Sequence, residues 1–159
     1  MPCACLIPVP NYPETADWGP IMWTMLHGLA EKAGQGIIRS DELREWHKFI
    51  KITGEVLPCD ICKQHYQTFA KTHPLPEDLP NGFIKNWFWN LHNEVNVSRG
   101  VAEYPYEELT ERYSKVNLTD LLYQLTPVIK KAIQWSGVPY MKWTAWVSSF
   151  KMLRSILAV

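Results

Sequence analysis

Two cysteines separated by two residues are the strongest chemical feature of the chain. Cys59 and Cys62 follow Pro58 where a helix is predicted to begin, close enough to each other to form a disulfide. Backbone N–H groups at a helix N-terminus stabilise a thiolate, the form of cysteine that reacts in disulfide exchange. This spacing indicates reversible redox chemistry, whereas the neighbouring Lys63 and His65 are more typical of solvated surface groups.

The only other cysteines, Cys3 and Cys5, form a second close pair. Two close pairs do not suit a disulfide scaffold, in which bridges close long loops, and they favour redox work or metal binding. A zinc site would need all four cysteines to converge or histidine to help, and Cys3 and Cys5 are too close for a usual half-site. A thioredoxin-like protein would need strands around Cys59 and Cys62, where we predict helices.

Aromatic and polar side chains recur at helical spacing in two segments. Trp23 and His27 are four residues apart, as are His92 and Asn96, with Asn93 beside them. Each pair therefore lies on one helical face, where burial without hydrogen-bond partners would be costly. A flat heteroaromatic ligand with ribose and phosphate groups would satisfy such faces, whereas core histidines bonded to carbonyls are the alternative.

The elements that must position these residues are helical, because apolar residues recur with helical spacing and no alternating strand pattern is bounded by turn residues. Asp17 is predicted to cap the first helix, with Pro20 in its first turn. We predict an all-α chain with helices over about residues 18–32, 40–58, 59–72, 82–98, 119–134 and 139–157, and a short helical patch that ends near residue 113.

The last predicted helix carries a seam of large apolar residues at spacings of three and four: Trp143, Trp146, Phe150, Leu153 and Leu157. Such a seam must be buried. The helix is predicted either to cover the bundle of its own chain or to form an interface with another subunit or partner.

Composition and charge exclude several classes. The 159 residues contain 16 Lys plus Arg and 16 Asp plus Glu, so no net field attracts nucleic acid. An apolar fraction of 47% suffices for a core, but no apolar run is long enough to predict a membrane span. The first residues resemble neither a signal peptide nor an arginine-rich transit sequence, and nothing in the sequence specifies export.

Three motifs in order resemble the ERV/ALR group of FAD-dependent sulfhydryl oxidases. They are Trp18-Gly19 with Trp23-x-x-Leu26-His27-x-x-Ala30, then Pro58-Cys59-x-x-Cys62, then Leu91-His92-Asn93-x-Val95-Asn96. The similarity extends over about residues 17–113. It implies a four-helix bundle that holds FAD, an additional short helix and assembly as a homodimer.

The resemblance also implies domain limits and site residues. Residues 1–16 would form a flexible arm, 17–117 the FAD-binding bundle and 118–159 a C-terminal helical extension. Cys62 would lie beside the flavin ring, and Cys59 would be the sulfur that substrate thiolates attack. The residues implied to bind the cofactor are Gly19, Trp23, His27, Cys62, His92, Asn93, Val95, Asn96, Arg112 and Tyr113.

The activity implied is oxidation of protein dithiols to disulfides, with electrons passing through Cys59 and Cys62 to FAD and then to oxygen, which becomes hydrogen peroxide. Substrates would be protein dithiols or a thioredoxin-like relay protein. Related oxidases use a second, mobile cysteine pair, and Cys3 and Cys5 on a proline-rich arm fit that role, with an incidental pair as the alternative. A zinc-stabilised helical interaction module is the alternative function.

The chain departs from the family pattern at three positions. Pro20, Leu57 and Val101 stand where members often have a basic residue, an aromatic residue and a lysine, so Arg99 or Lys115 is predicted to replace the missing phosphate contacts. No cysteine follows position 62, so the additional structural disulfide of many members is absent. Short members encoded by large DNA viruses work in the host cytoplasm, which suggests that setting or the virion, with the mitochondrial intermembrane space as the alternative.

Overall fold

The computed structural model describes residues 11–159, and this part of the chain is all-α, which confirms the predicted fold class. Cys3 and Cys5, the proposed second pair of the arm, lie outside the described residues. The helices are α1 (Thr15–Ala30), α2 (Arg39–Val56), α3 (Asp60–Thr72), α4 (Phe83–Ser98), α5 (Leu109–Tyr113), α6 (Leu118–Gln134) and α7 (Tyr140–Leu157), with a 3-10 turn (Tyr106–Glu108) before α5.

Helix α1 begins earlier than predicted. Glu14, not Asp17, occupies the N-cap position, and its backbone N–H donates to the Asp17 carboxylate at 2.8 Å. The expected Asp17 cap was wrong because this carboxylate closes a capping box from inside the first turn. Pro20 therefore lies in the second turn, and its ring removes the N–H that would bond to the Ala16 carbonyl.

The helices pack in pairs around one core. Helices α4 and α6 pack against α1, and α3 and α7 pack against α2. A Cβ atom at Gly28 would collide with Val116, so this glycine allows α1 to approach the segment before α6 closely. Residues of α1, α3 and α4 line one cavity beside the N-terminus of α3, where Cys59 and Cys62 lie.

The C-terminal extension packs on its own chain. All five seam residues of α7 are buried, and the Trp146 indole N–H donates to the Thr53 hydroxyl of α2 at 2.9 Å. Ser149 donates to Glu45 at 2.6 Å, and Lys142 pairs with Glu55 at 2.7 Å. The face that α2 presents to α7 is therefore covered within the chain.

Within residues 11–159, no helix combines the length and the apolar character that crossing a bilayer requires.

Candidate redox site

Cys59 and Cys62 form a disulfide at the N-terminus of α3, with their Cα atoms 5.1 Å apart. Cys59 is the N-cap residue, and its sulfur accepts the Cys62 backbone N–H at 3.2 Å. The cap brings the Cys59 sulfur back over the first helical turn, where the Cys62 backbone N–H faces it. The same donor would stabilise a Cys59 thiolate after reduction, so the local structure suits disulfide exchange.

A cavity of about 590 Å³ opens beside Cys62. Its size falls within the usual range for cofactor sites. Cys62 lines it and Cys59 does not, so the two cysteines of the pair differ in their access to the cavity. The lining residues are Thr15, Ala16, Trp18, Gly19, Pro20, Met22, Trp23, Thr24, Leu26, Leu57, Ile61, Cys62, His65, Tyr66, Leu91, His92, Val95, Asn96, Ser98, Arg99, Arg112 and Tyr113.

Stacked rings form one wall of this cavity. The Trp23 and His92 rings lie parallel, with centroids 4.0 Å apart and an angle of 4° between their planes. His27 bonds to His92 through Nε2 and Nδ1 at 2.9 Å and stacks on Tyr113 at 4.5 Å. The wall is therefore aromatic and rigid, as a flat ligand would require.

Both stacked histidines are held neutral. Burial, reinforced by His92 and Arg112, lowers the pKa of His27 to about 3, and burial together with Arg112 lowers that of His92 to about 4. Their shared hydrogen bond needs one ring nitrogen to accept, which a neutral ring provides. We infer that neither ring carries charge toward the cavity near neutral pH.

This pair predicts acid sensitivity. An unfolded histidine has a pKa near 6.5, so between roughly pH 6.5 and pH 4 the unfolded chain binds protons that the folded chain does not. The free energy of unfolding should therefore fall as pH decreases through this window. Urea unfolding at pH 7 and pH 5 measures it: His92→Gln should reduce the loss, whereas the exposed His47→Gln should not. An equal loss in the His92→Gln variant and the unsubstituted chain would contradict the assignment.

Two of the predicted binding residues lie outside the cavity wall. Asn93 is buried, and its carboxamide accepts the Tyr104 backbone N–H at 2.8 Å and donates to the Tyr104 carbonyl at 3.1 Å. It thereby fixes the segment that follows α4. His27 lies behind His92. The side chains of His27 and Asn93 therefore support the cavity wall without lining it.

Positive charge lines the cavity at Arg99 and Arg112, both exposed. The Arg112 guanidinium lies over the Tyr104 and Tyr113 rings at 5.1 and 5.4 Å. Within residues 11–159 neither arginine forms an ion pair with a carboxylate, so both retain charge for an anionic group. Of the two predicted replacements for the missing basic contacts, Arg99 lines the cavity and Lys115 does not.

The structure adds lining residues that were not predicted as ligands. Trp18 is buried, and its indole N–H has no hydrogen-bond partner among the described residues. Tyr66 and His65 follow Cys62 on α3, and Leu91 precedes His92. Helical spacing from Cys62 could have identified His65, and membership of the Trp18-Gly19 motif could have marked Trp18 as a candidate ligand.

Metal binding finds no support in the described part of the chain. Between residues 11 and 159 there is no group of three or more histidine, cysteine or acidic side chains arranged to hold an ion. The zinc alternative is therefore not supported.

The comparisons with known proteins agree with the motifs. A protein of Arabidopsis thaliana, "FAD-linked sulfhydryl oxidase ERV1", is 27% identical over 100 residues, which cover 63% of this chain and 51% of that protein. Its counterpart of the same name in Oryza sativa is 25% identical over 99 residues, covering 62% and 50%. The chain thus spans about half the length of these plant relatives.

An African swine fever virus protein, "FAD-linked sulfhydryl oxidase", is 28% identical over 117 residues, which cover 70% of this chain and 92% of the viral protein. No solved structure matches the chain significantly. Residues 20–114 match the model of the Erv1 / Alr family. This range contains the Cys59–Cys62 disulfide and most of the residues that line the cavity. The chain therefore belongs to the Erv1 / Alr family.

Proposed function

We propose that the protein is an FAD-linked thiol oxidase that converts protein dithiols to disulfides through Cys59 and Cys62. The observation that carries this proposal is the Cys59–Cys62 disulfide with Cys62 at the wall of an aromatic cavity of about 590 Å³. The relatives named as FAD-linked sulfhydryl oxidases support the same activity.

The cavity residues fit FAD. The Trp23 and His92 rings offer a flat stacked surface, and the buried Trp18 N–H lacks a partner that a ligand acceptor would supply. Arg99 and Arg112 suit a pyrophosphate. We propose that Gly19, Trp23, Cys62, His92, Val95, Asn96, Arg112 and Tyr113 contact the cofactor, with His27 and Asn93 supporting them from behind.

Exchange begins at the sulfur of Cys59. A substrate thiolate attacks Cys59, the Cys59–Cys62 bond breaks, and Cys62 leaves as a thiolate. The second substrate thiolate then attacks the mixed disulfide, which releases Cys59 and an oxidised substrate. The substrate dithiol loses two electrons, and the Cys59–Cys62 pair gains them. Because Cys62 lines the cavity, the reduced pair can be reoxidised there.

When bound, FAD would supply a two-electron acceptor for the reduced pair that oxygen can reoxidise, with hydrogen peroxide formed from oxygen, the two electrons and two protons. The chain's own residues orient the ring by stacking, keep the wall neutral at His27 and His92, and hold Cys62 at the edge of the cavity.

The described structure supports a shuttle role for the arm. The Tyr12 hydroxyl donates to the Pro58 carbonyl at 2.8 Å. The first described residues of the chain therefore lie next to Cys59. The seven residues from Cys5 to Tyr12 span at most about 25 Å when extended. We propose that Cys3 and Cys5 accept electrons from protein substrates and pass them to Cys59 of the same chain.

The shuttle predicts a split in substrate dependence. A double variant with Cys3→Ser and Cys5→Ser should oxidise a reduced protein at least several-fold more slowly, yet oxidise dithiothreitol at the rate of the unsubstituted chain, because a small dithiol reaches Cys59 directly. Oxygen consumption with each substrate measures both rates. Equal rates of the two proteins on both substrates would remove the shuttle.

The binding of FAD is tested by absorbance. The purified protein should be yellow with a flavin spectrum, and dithiothreitol without oxygen should bleach it because electrons enter through the disulfide. Supplying oxygen should restore the colour and generate hydrogen peroxide. Colourless protein containing stoichiometric zinc would favour the interaction module, and flavin that resists bleaching would indicate a relative that has lost turnover.

We assign residues 17–117 to the catalytic bundle, 118–159 to an extension that supports it and 1–16 to the arm. Substrates are protein dithiols or a thioredoxin-like relay protein. A homodimer would have to use surfaces other than the α2 face that α7 covers. We propose the host cytoplasm or virion as the setting, with the mitochondrial intermembrane space as the alternative, and the viral and plant relatives are consistent with either.

A further inference from the structure

His65 lies one helical turn beyond Cys62 on α3, and both side chains line the same cavity. Residues three apart on a helix have Cβ atoms about 5–6 Å from each other. The His65 side chain is 27% exposed, so its ring is in contact with both cavity and water. This position allows the ring to exchange a proton with Cys62 and then with solvent.

Glu94 of α4 fixes the orientation of this ring. Its carboxylate oxygen Oε1 lies 3.1 Å from His65 Nε2, which donates to it. The other ring nitrogen, Nδ1, has no hydrogen-bond partner within residues 11–159. A base that is oriented by a carboxylate and keeps its second nitrogen free is the arrangement that activates cysteine nucleophiles in other folds.

The other ionisable groups around Cys62 are engaged or unable to accept a proton. On α3, Lys63 donates to the Gly137 carbonyl at 2.7 Å, and Asp60 is exposed, 3.9 Å from the Lys63 amine. On α4, His92 is bonded to His27, and its pKa is lowered to about 4. Two arginines line the cavity and stay protonated: Arg99 on the C-terminal side of α4 and Arg112 on α5. The phenol of Tyr113 also stays protonated near neutral pH, because burial raises its pKa. The part of α1 that lines the cavity carries no ionisable side chain, no residue of α2 lines it, and the buried Tyr66 phenol of α3 donates to the Ile50 carbonyl at 2.7 Å.

We propose that His65, oriented by Glu94, accepts the proton of the Cys62 thiol and holds Cys62 as a thiolate at the cavity wall. The S–H bond of Cys62 breaks and an N–H bond forms at Nδ1, with no change in electron count. During exchange Cys62 leaves the disulfide without a proton, and a His65 ring that has taken its proton from water neutralises this thiolate. This inference rests on the proposed function and assigns to that site a positioning and proton-accepting residue.

The test measures the ionisation of Cys62 without turnover. In the full-length FAD-loaded protein, Cys59→Ser leaves Cys62 without its disulfide partner, and the rate of alkylation by iodoacetamide is followed from pH 5 to pH 9 by mass spectrometry of the Cys62 peptide. Adding His65→Gln should raise the apparent pKa of Cys62 by about one pH unit, which makes alkylation about tenfold slower below that pKa because only the thiolate reacts.

Two further variants complete the test. Glu94→Gln should raise the same apparent pKa by a smaller amount, and His47→Gln, an exposed histidine of α2, should leave it unchanged. An unchanged apparent pKa in a folded His65→Gln protein overturns the proposal. If His65→Gln fails to fold by circular dichroism, Glu94→Gln decides: a raised value supports the proposal and an unchanged one overturns it. Failure of the unsubstituted protein to consume oxygen would reject the proposed function but not this ionisation curve.

Discussion

Replacing Cys62 by serine is expected to lower dithiothreitol-dependent oxygen consumption by a factor on the order of a thousand or more. Without the Cys62 sulfur, Cys59 is not part of a disulfide that a substrate thiolate could open. The protein then also lacks the cysteine pair that would accept two electrons from the substrate. The cavity wall loses its sulfur at the same time. The measurement is oxygen uptake at saturating dithiothreitol, with bound flavin quantified by absorbance.

The matched control is the Cys3→Ser, Cys5→Ser protein, which also loses cysteines but should keep its rate with this small dithiol. Retained flavin in the Cys62→Ser protein would show that the cavity is intact and that the loss lies in electron transfer. If Cys62→Ser turned over within tenfold of the unsubstituted protein, the electron route through this disulfide would be wrong.

Replacing Trp146 by alanine is expected to lower the free energy of unfolding by about 3–5 kcal/mol. Trp146 has no exposed surface, stacks against Phe150 with centroids 5.3 Å apart, and donates its indole N–H to Thr53. Alanine would leave a cavity between α7 and α2. It would also remove the hydrogen bond that the buried Thr53 hydroxyl accepts from the Trp146 indole.

Urea unfolding followed by circular dichroism measures this change. Trp135→Ala is the control, because that indole is 42% exposed, and its loss should cost well under half as much. If Trp146→Ala lowered the free energy of unfolding by no more than Trp135→Ala, α7 would not be a structural part of the bundle. A large effect of Trp146→Ala alone would establish the extension as part of the folding unit that carries the redox site.

Much of the fold follows from local patterns. The helices, the proline-rich breaks between them and the seam of α7 depend on spacing and backbone chemistry, which a sequence displays directly. The start of α1 was misplaced because Asp17 can serve either as an N-cap or as the acidic residue inside a capping box, and the identity of the residue does not decide between them.

The site divides in the same way. Cys59 and Cys62 are three positions apart, so their chemistry is local and the sequence alone identifies it. The partnership of His27 with His92 joins residues 65 positions apart, and that of His65 with Glu94 joins residues 29 apart, so each depends on how the helices pack.

Sequence by itself determined the helical class, the paired cysteines and the family of this protein, because each depends on residues close together in the chain or on motifs in a set order. Tertiary structure alone decided which predicted ligands line the cavity, which support it from behind, and that α7 covers α2. The physical reason is that burial, a pKa and a hydrogen-bond partner belong to a place in space, and packing creates that place from residues distant in sequence.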